Sequence, residues 1–296
     1  MELLKNCPTC NSTSFKTFIK GCDYFLTKEE FMIMECQDCG LKFTNPRPGF
    51  TDIIKYYDST EYISHDISRK GILTWAYTHA RNLMLKKKFK IISAFSKGKR
   101  ILDIGCGTGE FLNFCKGKGF ESFGIELNEK PREIARGNYG IDIREKIVDF
   151  SPEEYKFDCI TLWHVLEHIH NLKTTIDSIR KLLMPDGVLI IALPNCNSWD
   201  ANHYKQYWAA YDLPRHLYHF NETSFIKFAG IHKLKIVRIL PQVLDSFYIS
   251  LLSEKYLKGN GNLIKALFKG AISNLMAGKP GTGYSSQIYI LFLEIS

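Results

Sequence analysis

Ile101-Leu102-Asp103-Ile104-Gly105-Cys106-Gly107-Thr108-Gly109 is the stretch that decides the fold. An apolar run ends at Asp103, and glycines follow at alternate positions, Gly105, Gly107 and Gly109. Such a loop joins a buried parallel strand to a helix and brings backbone N–H groups close to a ligand. A Cβ atom in the loop would occupy the ligand's space. The stretch therefore predicts an α/β domain that binds a nucleoside-bearing cofactor.

The composition is that of an ordinary globular chain. Of the 296 residues, 45% are hydrophobic and 24% are charged, which is enough for a sizeable core. No apolar run reaches the roughly 18 residues that a membrane span needs. The first residues lack the apolar core and cleavage site of a secretory signal. We therefore expect a cytoplasmic protein without a membrane span.

The net charge of +8 is concentrated in one segment. Residues 1–50 carry six basic and six acidic side chains, whereas residues 64–100 carry ten basic and one acidic. Residues 101–250 carry 17 basic and 19 acidic side chains. The basic segment suits a solvated helix face better than a phosphate-binding surface. Nucleic acid is therefore a less favoured partner, although this charge does not exclude it.

Three parts follow one another along the chain. Residues 1–48 form a cysteine-rich module that ends in the turn-forming Asn45-Pro46-Arg47-Pro48, and residues 49–97 form a helical linker or cap. Residues 98–296 alternate strand-like and helix-like runs, which predicts a layered α/β sheet with insertions at 196–221 and 243–283. The predicted strands are Arg100–Ile104, Ser122–Glu126, Ile141–Ile147, Phe157–Trp163, Gly187–Leu193, Lys235–Leu240 and Gln287–Ile295.

Two Cys-x-x-Cys pairs, Cys7/Cys10 and Cys36/Cys39, predict a structural zinc site. Each pair sets two thiolates on one tight turn, where both can reach one ion, and zinc prefers four ligands in a tetrahedron. Because cysteines would fill all four positions, no position remains for a substrate. The chain between the pairs is long enough to form a small sheet, so we expect a zinc-ribbon-like module.

Three features favour S-adenosylmethionine over a nicotinamide dinucleotide as the cofactor. The spacing is Gly-x-Gly-x-Gly and not Gly-x-Gly-x-x-Gly. The carboxylate of Asp103 would repel a pyrophosphate but attract an ammonium and a sulfonium group. Glu126, at the end of the second strand, can accept both ribose hydroxyls. Asp149, after the third strand, either meets the adenine amino group or is an exposed loop residue.

Residues 98–240 resemble a class I S-adenosylmethionine-dependent methyltransferase. The resemblance rests on residues 101–109, Glu126, Phe157–His164, Leu166–Ile169 and Leu182–Gly187. It implies a Rossmann-like sheet of seven strands with a reversed last strand. The motifs Cys39–Pro48 and Pro214–Leu217 extend the resemblance to a bacterial subgroup with a four-cysteine zinc module, whose members commonly occur in sugar and surface-polysaccharide biosynthesis. The predicted cofactor-binding residues are Asp103, Gly105, Cys106, Gly107, Gly109, Phe111, Glu126, Leu127, Asp149, Trp163 and His164.

The segment His164–His168 provides the candidates for a catalytic base. If it is helical, His164, Glu167 and His168 share one face. Histidine suits general-base work near neutral pH, so we predict His168 as the base, His164 as second choice and Glu167 as the orienting partner. Related quinone O-methyltransferases carry Glu-x-x-Glu-His here, which implies a divalent metal. Because His164 replaces the first glutamate, the sequence leaves that metal open.

The insertion at 196–221 is rich in aromatic residues and histidines, which suits a lid or a wall for a sugar ring or another flat ligand. The predicted acceptor-binding residues are Trp208, Tyr211, Arg215 and His216. Several of these aromatics could equally anchor a long loop to the core.

The sequence thus predicts a methyltransferase for a small-molecule acceptor, a sugar that is nucleotide-linked or part of a glycan, with O-methylation favoured over C-methylation. One alternative is a methyltransferase for ribosomal or transfer RNA bases, because some of these also join a four-cysteine module to the same fold. The other is a non-catalytic scaffold that binds S-adenosylmethionine. The sequence does not indicate the oligomeric state.

Overall fold

The computed structural model describes residues 1–57 and 72–294. Its strands are β1 (Phe15–Cys22), β2 (Glu30–Cys36), β3 (Lys42–Thr44), β4 (Arg100–Ile104), β5 (Glu121–Ile125), β6 (Asp142–Arg144), β7 (Phe157–Trp163), β8 (Leu183–Pro194), β9 (Tyr218–His219), β10 (Leu234–Pro241) and β11 (Ser286–Leu293). Its α-helices are α1 (Ile72–Phe95), α2 (Glu110–Lys116), α3 (Glu129–Tyr139), α4 (Leu172–Leu182), α5 (Trp199–Tyr204), α6 (Glu222–Ile231), α7 (Asp245–Lys258) and α8 (Leu263–Met276).

The larger sheet has seven strands in the order β10-β11-β8-β7-β4-β5-β6. Strand β4 pairs in parallel with β5 on one side and with β7 on the other, so that Leu102 lies between Phe123 and Ile160. The run Val188–Leu193 of β8 is buried without interruption, which is typical of a parallel strand covered on both faces. The last strand, β11, is reversed. The predicted Rossmann-like sheet is therefore confirmed.

Each of the seven predicted strands corresponds to an observed one, but several ends differ. The prediction for the third strand, Ile141–Ile147, is too long, because β6 comprises Asp142–Arg144 alone. A short 3₁₀ turn follows at Ile147–Asp149, where the Asp149 carboxylate accepts a hydrogen bond from the Lys146 N–H at 2.9 Å. This local side-chain bond competes with the strand ladder for the backbone.

The smaller sheet has four strands in the order β1-β2-β3-β9. Strands β1 and β2 form a hairpin in which Phe31 and Ile33 of β2 are buried. Strand β3 pairs with β9, so that Lys42 faces His219 and Phe43 faces Tyr218. Because β9 comes from the insertion at 196–221, the cysteine-rich module completes its sheet with a strand that lies about 175 residues further along the chain.

The chain divides into two compact units. The first comprises Met1–Ser59, His164–Lys173 and Ala192–Tyr289, and the second comprises Thr60–Trp163, Thr174–Ile191 and Ile290–Ser296. These limits differ from the predicted domains 1–48, 49–97 and 98–296, which stay a prediction. Residues 58–71 of the predicted linker lie outside the described residues. Within the described ranges, no helix has both the length and the apolar character that crossing a membrane requires.

Candidate functional site

The glycine-rich loop lies between β4 and α2, as the sequence predicted. Gly105, Gly107 and Gly109 have φ angles of 73°, 55° and 76°, in the left-handed region that favours glycine. A Cβ on Gly109 would lie 2.8 Å from the Cβ of Ala135, whereas a Cβ on Gly107 would meet no atom within 4 Å. Gly109 is therefore required by packing against α3. Open space lies next to Gly107, where a ligand can approach the backbone.

Asp103 is buried at the end of β4. The hydroxyl of Thr161 donates a hydrogen bond to its carboxylate at 2.5 Å. Burial raises the pKa of Asp103 to about 6, although the positive charge of Lys88 and the Thr161 hydrogen bond act in the opposite direction. A buried carboxylate with one hydroxyl partner suits a cationic ligand group, because a cation would offset the cost of its charge.

Glu126 and Asp149 follow neighbouring strands but differ in their surroundings. The buried carboxylate of Glu126 accepts hydrogen bonds from the N–H groups of Gly107 and Asn128, both at 2.9 Å. It therefore connects the glycine-rich loop to the start of α3. Asp149 is exposed, and its carboxylate caps its own 3₁₀ turn. Leu127, the residue after Glu126, is also exposed. The roles of these residues in cofactor binding stay predictions.

Lys88 of α1, which the sequence patterns did not single out, lies beside the predicted cofactor-binding residues Trp163 and Phe111. Its ammonium group lies 4.7 Å from the ring centre of Trp163 and 5.3 Å from that of Phe111. The two rings meet edge to face at 5.9 Å, and the buried indole N–H of Trp163 has no hydrogen-bond acceptor among the described residues. The sequence signal was a run of three lysines, Lys86 to Lys88, which we interpreted as a solvated helix face. For Lys88, that interpretation is wrong.

His164 and Glu167 are paired, but not on a helix. His164 has a φ of 58°, and a short 3₁₀ turn covers Leu166–His168, so the condition of one continuous helix, on which a shared face depended, is not met. The Nδ1 atom of His164 lies 3.5 Å from a Glu167 carboxylate oxygen, and its Nε2 atom lies 3.1 Å from Asp245. Burial lowers the pKa of His164, but the hydrogen bonds to Asp245 and Glu167 outweigh burial and raise it to about 10. At neutral pH this histidine is protonated.

His168, unlike His164, has a lowered pKa. Its Nδ1 atom lies 3.0 Å from the carbonyl oxygen of Arg215 and 2.9 Å from the hydroxyl of Tyr57. A carbonyl oxygen can only accept, so Nδ1 carries the proton and Nε2 keeps its lone pair. Burial, followed by the charge of His216, lowers the pKa of His168 to about 4. The ring is therefore neutral at pH 7.

Glu167, His168 and His216 form a compact cluster in the first unit. One side-chain atom from each lies within 4.8 Å of the others, and the rings of His168 and His216 meet at 4.5 Å. The Nδ1 atom of His216 lies 2.9 Å from the carbonyl oxygen of Ala210, which leaves its Nε2 atom facing Glu167 at 4.0 Å. The Glu167 carboxylate is buried and has ion-pair partners on two sides, His164 at 3.5 Å and His216 at 4.0 Å. This arrangement can hold a proton or a divalent cation.

The other predicted acceptor residues are buried and held by partners. The indole N–H of Trp208 donates to Asp200 at 2.8 Å, and the ring of Tyr211 packs edge to face on that of Trp208. Arg215 pairs with Asp23 at 3.0 Å and with Asp212 at 2.7 Å. The pair with Asp23 connects the insertion to the cysteine-rich module, whereas the other contacts hold the insertion together internally. Acceptor binding by these residues stays a prediction.

The four paired cysteines meet in one cluster. The Sγ atoms of Cys7 and Cys39 are 3.5 Å apart, as are those of Cys10 and Cys36, and all four lie within 4.8 Å of one another. Ligands at 2.3 Å from a tetrahedral zinc ion are about 3.8 Å apart, so the cluster has the size of a zinc site. All four cysteines are free thiols.

Comparison with known proteins assigns the family. Residues 77–230, about half of the chain, match the family described as a methyltransferase domain. The chain belongs to the methyltransferase domain family. This match covers β4 to α6 and therefore includes both the glycine-rich loop and the Glu167 cluster.

Curated members of the methyltransferase family include two similar relatives. The ubiquinone biosynthesis O-methyltransferase of Actinobacillus pleuropneumoniae serotype 5b (strain L20) is 35% identical over 109 residues, which are 33% of this chain and 47% of that protein. The enzyme of the same name from Dechloromonas aromatica (strain RCB) is 32% identical over 107 residues, 34% of this chain and 46% of that protein. The chain thus spans about half the length of these relatives.

A solved methyltransferase structure is similar in fold. The magnesium protoporphyrin IX methyltransferase of Synechocystis PCC 6803, determined with bound S-adenosylhomocysteine, superposes with a TM-score of 0.53 at 14% identity. The match covers 81% of this chain and 98% of that one. At this identity the likeness concerns the fold alone.

The buried ion pair of Arg215 generates a stability prediction. We expect Asp23→Asn to lower the free energy of unfolding by about 3 kcal/mol, because it leaves a buried guanidinium without one of its carboxylate partners. Urea unfolding followed by circular dichroism measures the change. The matched control is Glu30→Gln, which breaks the exposed pair with Lys20 and should cost less than about 1 kcal/mol. If both variants lowered the free energy of unfolding equally, this would contradict a stabilising role of the buried Arg215 ion pair.

Proposed function

We propose that this protein is an S-adenosylmethionine-dependent methyltransferase that methylates a hydroxyl group of a small-molecule acceptor. The observation that carries the proposal is the pair of buried carboxylates, Asp103 and Glu126, on either side of a left-handed glycine loop. Family membership and the O-methyltransferase names of the relatives support the reaction class. A sugar, nucleotide-linked or within a surface polysaccharide, is the acceptor that the subgroup resemblance favours.

The cofactor would be held by residues of the second unit. Asp103 suits the ammonium group of the amino-acid tail, Glu126 suits the ribose hydroxyls, and the loop at Gly107 leaves room for close backbone approach. Bound S-adenosylmethionine supplies an electrophilic methyl group on a sulfonium. Trp163 and Phe111 lie beside the ammonium group of Lys88, and aromatic faces of this kind would suit the sulfonium of the cofactor.

On the acceptor side, His168 is the proposed base. Its Nδ1–H is held by the Arg215 carbonyl, so the free Nε2 atom is the one that would accept the acceptor's proton. The buried carboxylate of Glu167, which also faces His164 and His216, would stabilise the resulting positive charge. His164 is a poorer base, because its ion pairs with Asp245 and Glu167 keep it protonated.

The four-cysteine cluster is proposed to bind a structural zinc ion. Its Sγ distances suit a tetrahedral ion, and Gly40, with a φ of 75°, closes the tight turn after Cys39. The site would hold the small sheet of the first unit. For the protein as a whole we expect a cytoplasmic location.

The affinity for the cofactor should depend on pH through Asp103. The pKa of Asp103 is about 6 without ligand, and only the ionised carboxylate attracts an ammonium group. We expect S-adenosylhomocysteine to bind with constant affinity near pH 7 and about tenfold more weakly for each pH unit below 6. Calorimetry between pH 5 and 7 measures this.

Asp103→Asn is the control for that titration. It should bind about 10- to 100-fold more weakly at pH 7, since a charged hydrogen bond is lost, and its affinity should no longer vary with pH. An affinity of the unmodified protein that is the same at pH 5 and pH 7 would contradict the role of Asp103.

Metal analysis tests the zinc site. The purified protein should contain one zinc per chain, and Cys39→Ser should lose it together with thermal stability, because metal binding and folding are coupled. The matched control is Cys22→Ser, whose thiol lies outside the cluster and faces the Lys28 carbonyl. A full zinc content in Cys39→Ser would overturn the assignment.

Incubation with methyl-labelled cofactor and a panel of acceptors tests the reaction. Nucleotide sugars, glycans, quinone-precursor phenols and RNA form the panel, and mass spectrometry identifies the product. We expect a methylated small-molecule hydroxyl, and a turnover at least ~10²-fold lower for His168→Ala with unchanged cofactor affinity. Methylated RNA would favour the nucleic-acid alternative, and binding without any product would favour a scaffold. Loss of turnover with a chelator that leaves the zinc content of the protein unchanged, restored by a divalent cation, would assign the Glu167 cluster to a metal instead.

A further inference from the structure

Helix α8 exposes its large apolar residues and buries its small ones. Ala266, Gly270 and Ser273 are buried, whereas Ile264 and Leu275 are 80% and 81% exposed. Ile264, Leu267, Phe268 and Leu275 recur at the spacing of one helical face, and Leu263 extends the row. The exposed apolar residues of this row therefore do not contribute to the core of the unit in which they lie.

Close packing on α7 fixes which face of α8 points outward. A Cβ on Gly270 would lie 2.6 Å from a ring carbon of Phe247 and 2.9 Å from its Cα atom. The two helices are therefore so close that only a residue without a side chain fits between them. The helix cannot turn its leucine and phenylalanine row inward without losing this contact. The exposed row is thus a consequence of the packing and not of a loosely attached helix.

The charged residues of the sequence segment that contains the row are all basic. Residues 255–280 contain five lysines, at positions 255, 258, 265, 269 and 279, and neither aspartate nor glutamate. The ammonium group of Lys269 lies over the ring of Trp199, at 5.6 Å. An apolar helical face flanked by lysines matches the surface of an anionic bilayer, where the apolar side chains enter the acyl boundary and the lysines meet the headgroups.

We propose that the exposed face of α8 docks on the surface of an anionic lipid membrane. A second copy of this chain fits less well, because a two-fold contact through this face would bring its lysines against those of the partner. A bilayer, by contrast, supplies negative charge and a deformable apolar layer together. The surface involves no residue of the proposed methyl-transfer site, so this inference stands apart from the proposed function.

Co-sedimentation with lipid vesicles tests the proposal. We expect the 296-residue chain to bind phosphatidylcholine vesicles that contain phosphatidylglycerol, and to bind at least ~10-fold less to pure phosphatidylcholine. The double variant Ile264→Ser with Phe268→Ser should lose at least ~10-fold of the binding, and Lys265→Gln should weaken it to a smaller extent. Raised salt should weaken binding as well, because it screens the lysines.

The matched control removes two exposed isoleucines from another helix of the same unit. Ile226→Ser with Ile231→Ser on α6 should bind vesicles as the unmodified protein does. Circular dichroism and S-adenosylhomocysteine binding check that each variant is folded. Absence of binding to anionic vesicles, or equal binding by the Ile264/Phe268 variant, would overturn the proposal. A dimer in light scattering that this variant dissociates, without vesicle binding, would assign the face to a second copy.

Discussion

The hydrogen bond from the Gly107 N–H to the Glu126 carboxylate is the interaction on which the position of the glycine-rich loop depends. It links the loop after β4 to the end of β5, while the second oxygen of the same carboxylate accepts the N–H of Asn128. The left-handed conformations of its glycines allow the loop to form, and Glu126 holds the loop backbone at Gly107. Asp103 is buried at the end of the neighbouring strand, and a Cβ on Gly107, in the loop after it, would meet no atom within 4 Å. These two carboxylates are the ones that the proposed function assigns to the ammonium group and the ribose hydroxyls of the cofactor.

In the first unit, ionic and hydrogen-bonding contacts connect segments that are far apart in the sequence. Arg215 pairs with Asp23 across 192 residues, and β9 completes the sheet of the cysteine-rich module. The Arg215 backbone carbonyl, in turn, holds the ring of His168. The insertion at 196–221 therefore supports both the small sheet and the proposed base. An aromatic-rich loop can serve catalysis in this way by positioning other residues, without touching the acceptor itself.

Basic residues have three different settings in this chain. Lys88 lies among aromatic rings in the second unit, Arg215 is a buried partner of two carboxylates, and the lysines near α8 flank an apolar face. The net charge of +8 does not reveal these three settings, because it does not say where in the structure each charge lies. The prediction of a solvated basic segment was therefore wrong for Lys88.

The sequence by itself determined the seven-stranded sheet, the glycine loop and the pairing of the four cysteines in two turns, because these follow from local patterns: apolar runs, left-handed glycines and short spacings. Only the tertiary structure decided that His216 meets Glu167 and His168, that β9 joins the small sheet, and that α8 turns its apolar row outward. These features depend on contacts between segments that are distant in the chain. Whether an apolar or aromatic face becomes buried depends on the segment that packs against it. The local spacing of residues does not identify that segment.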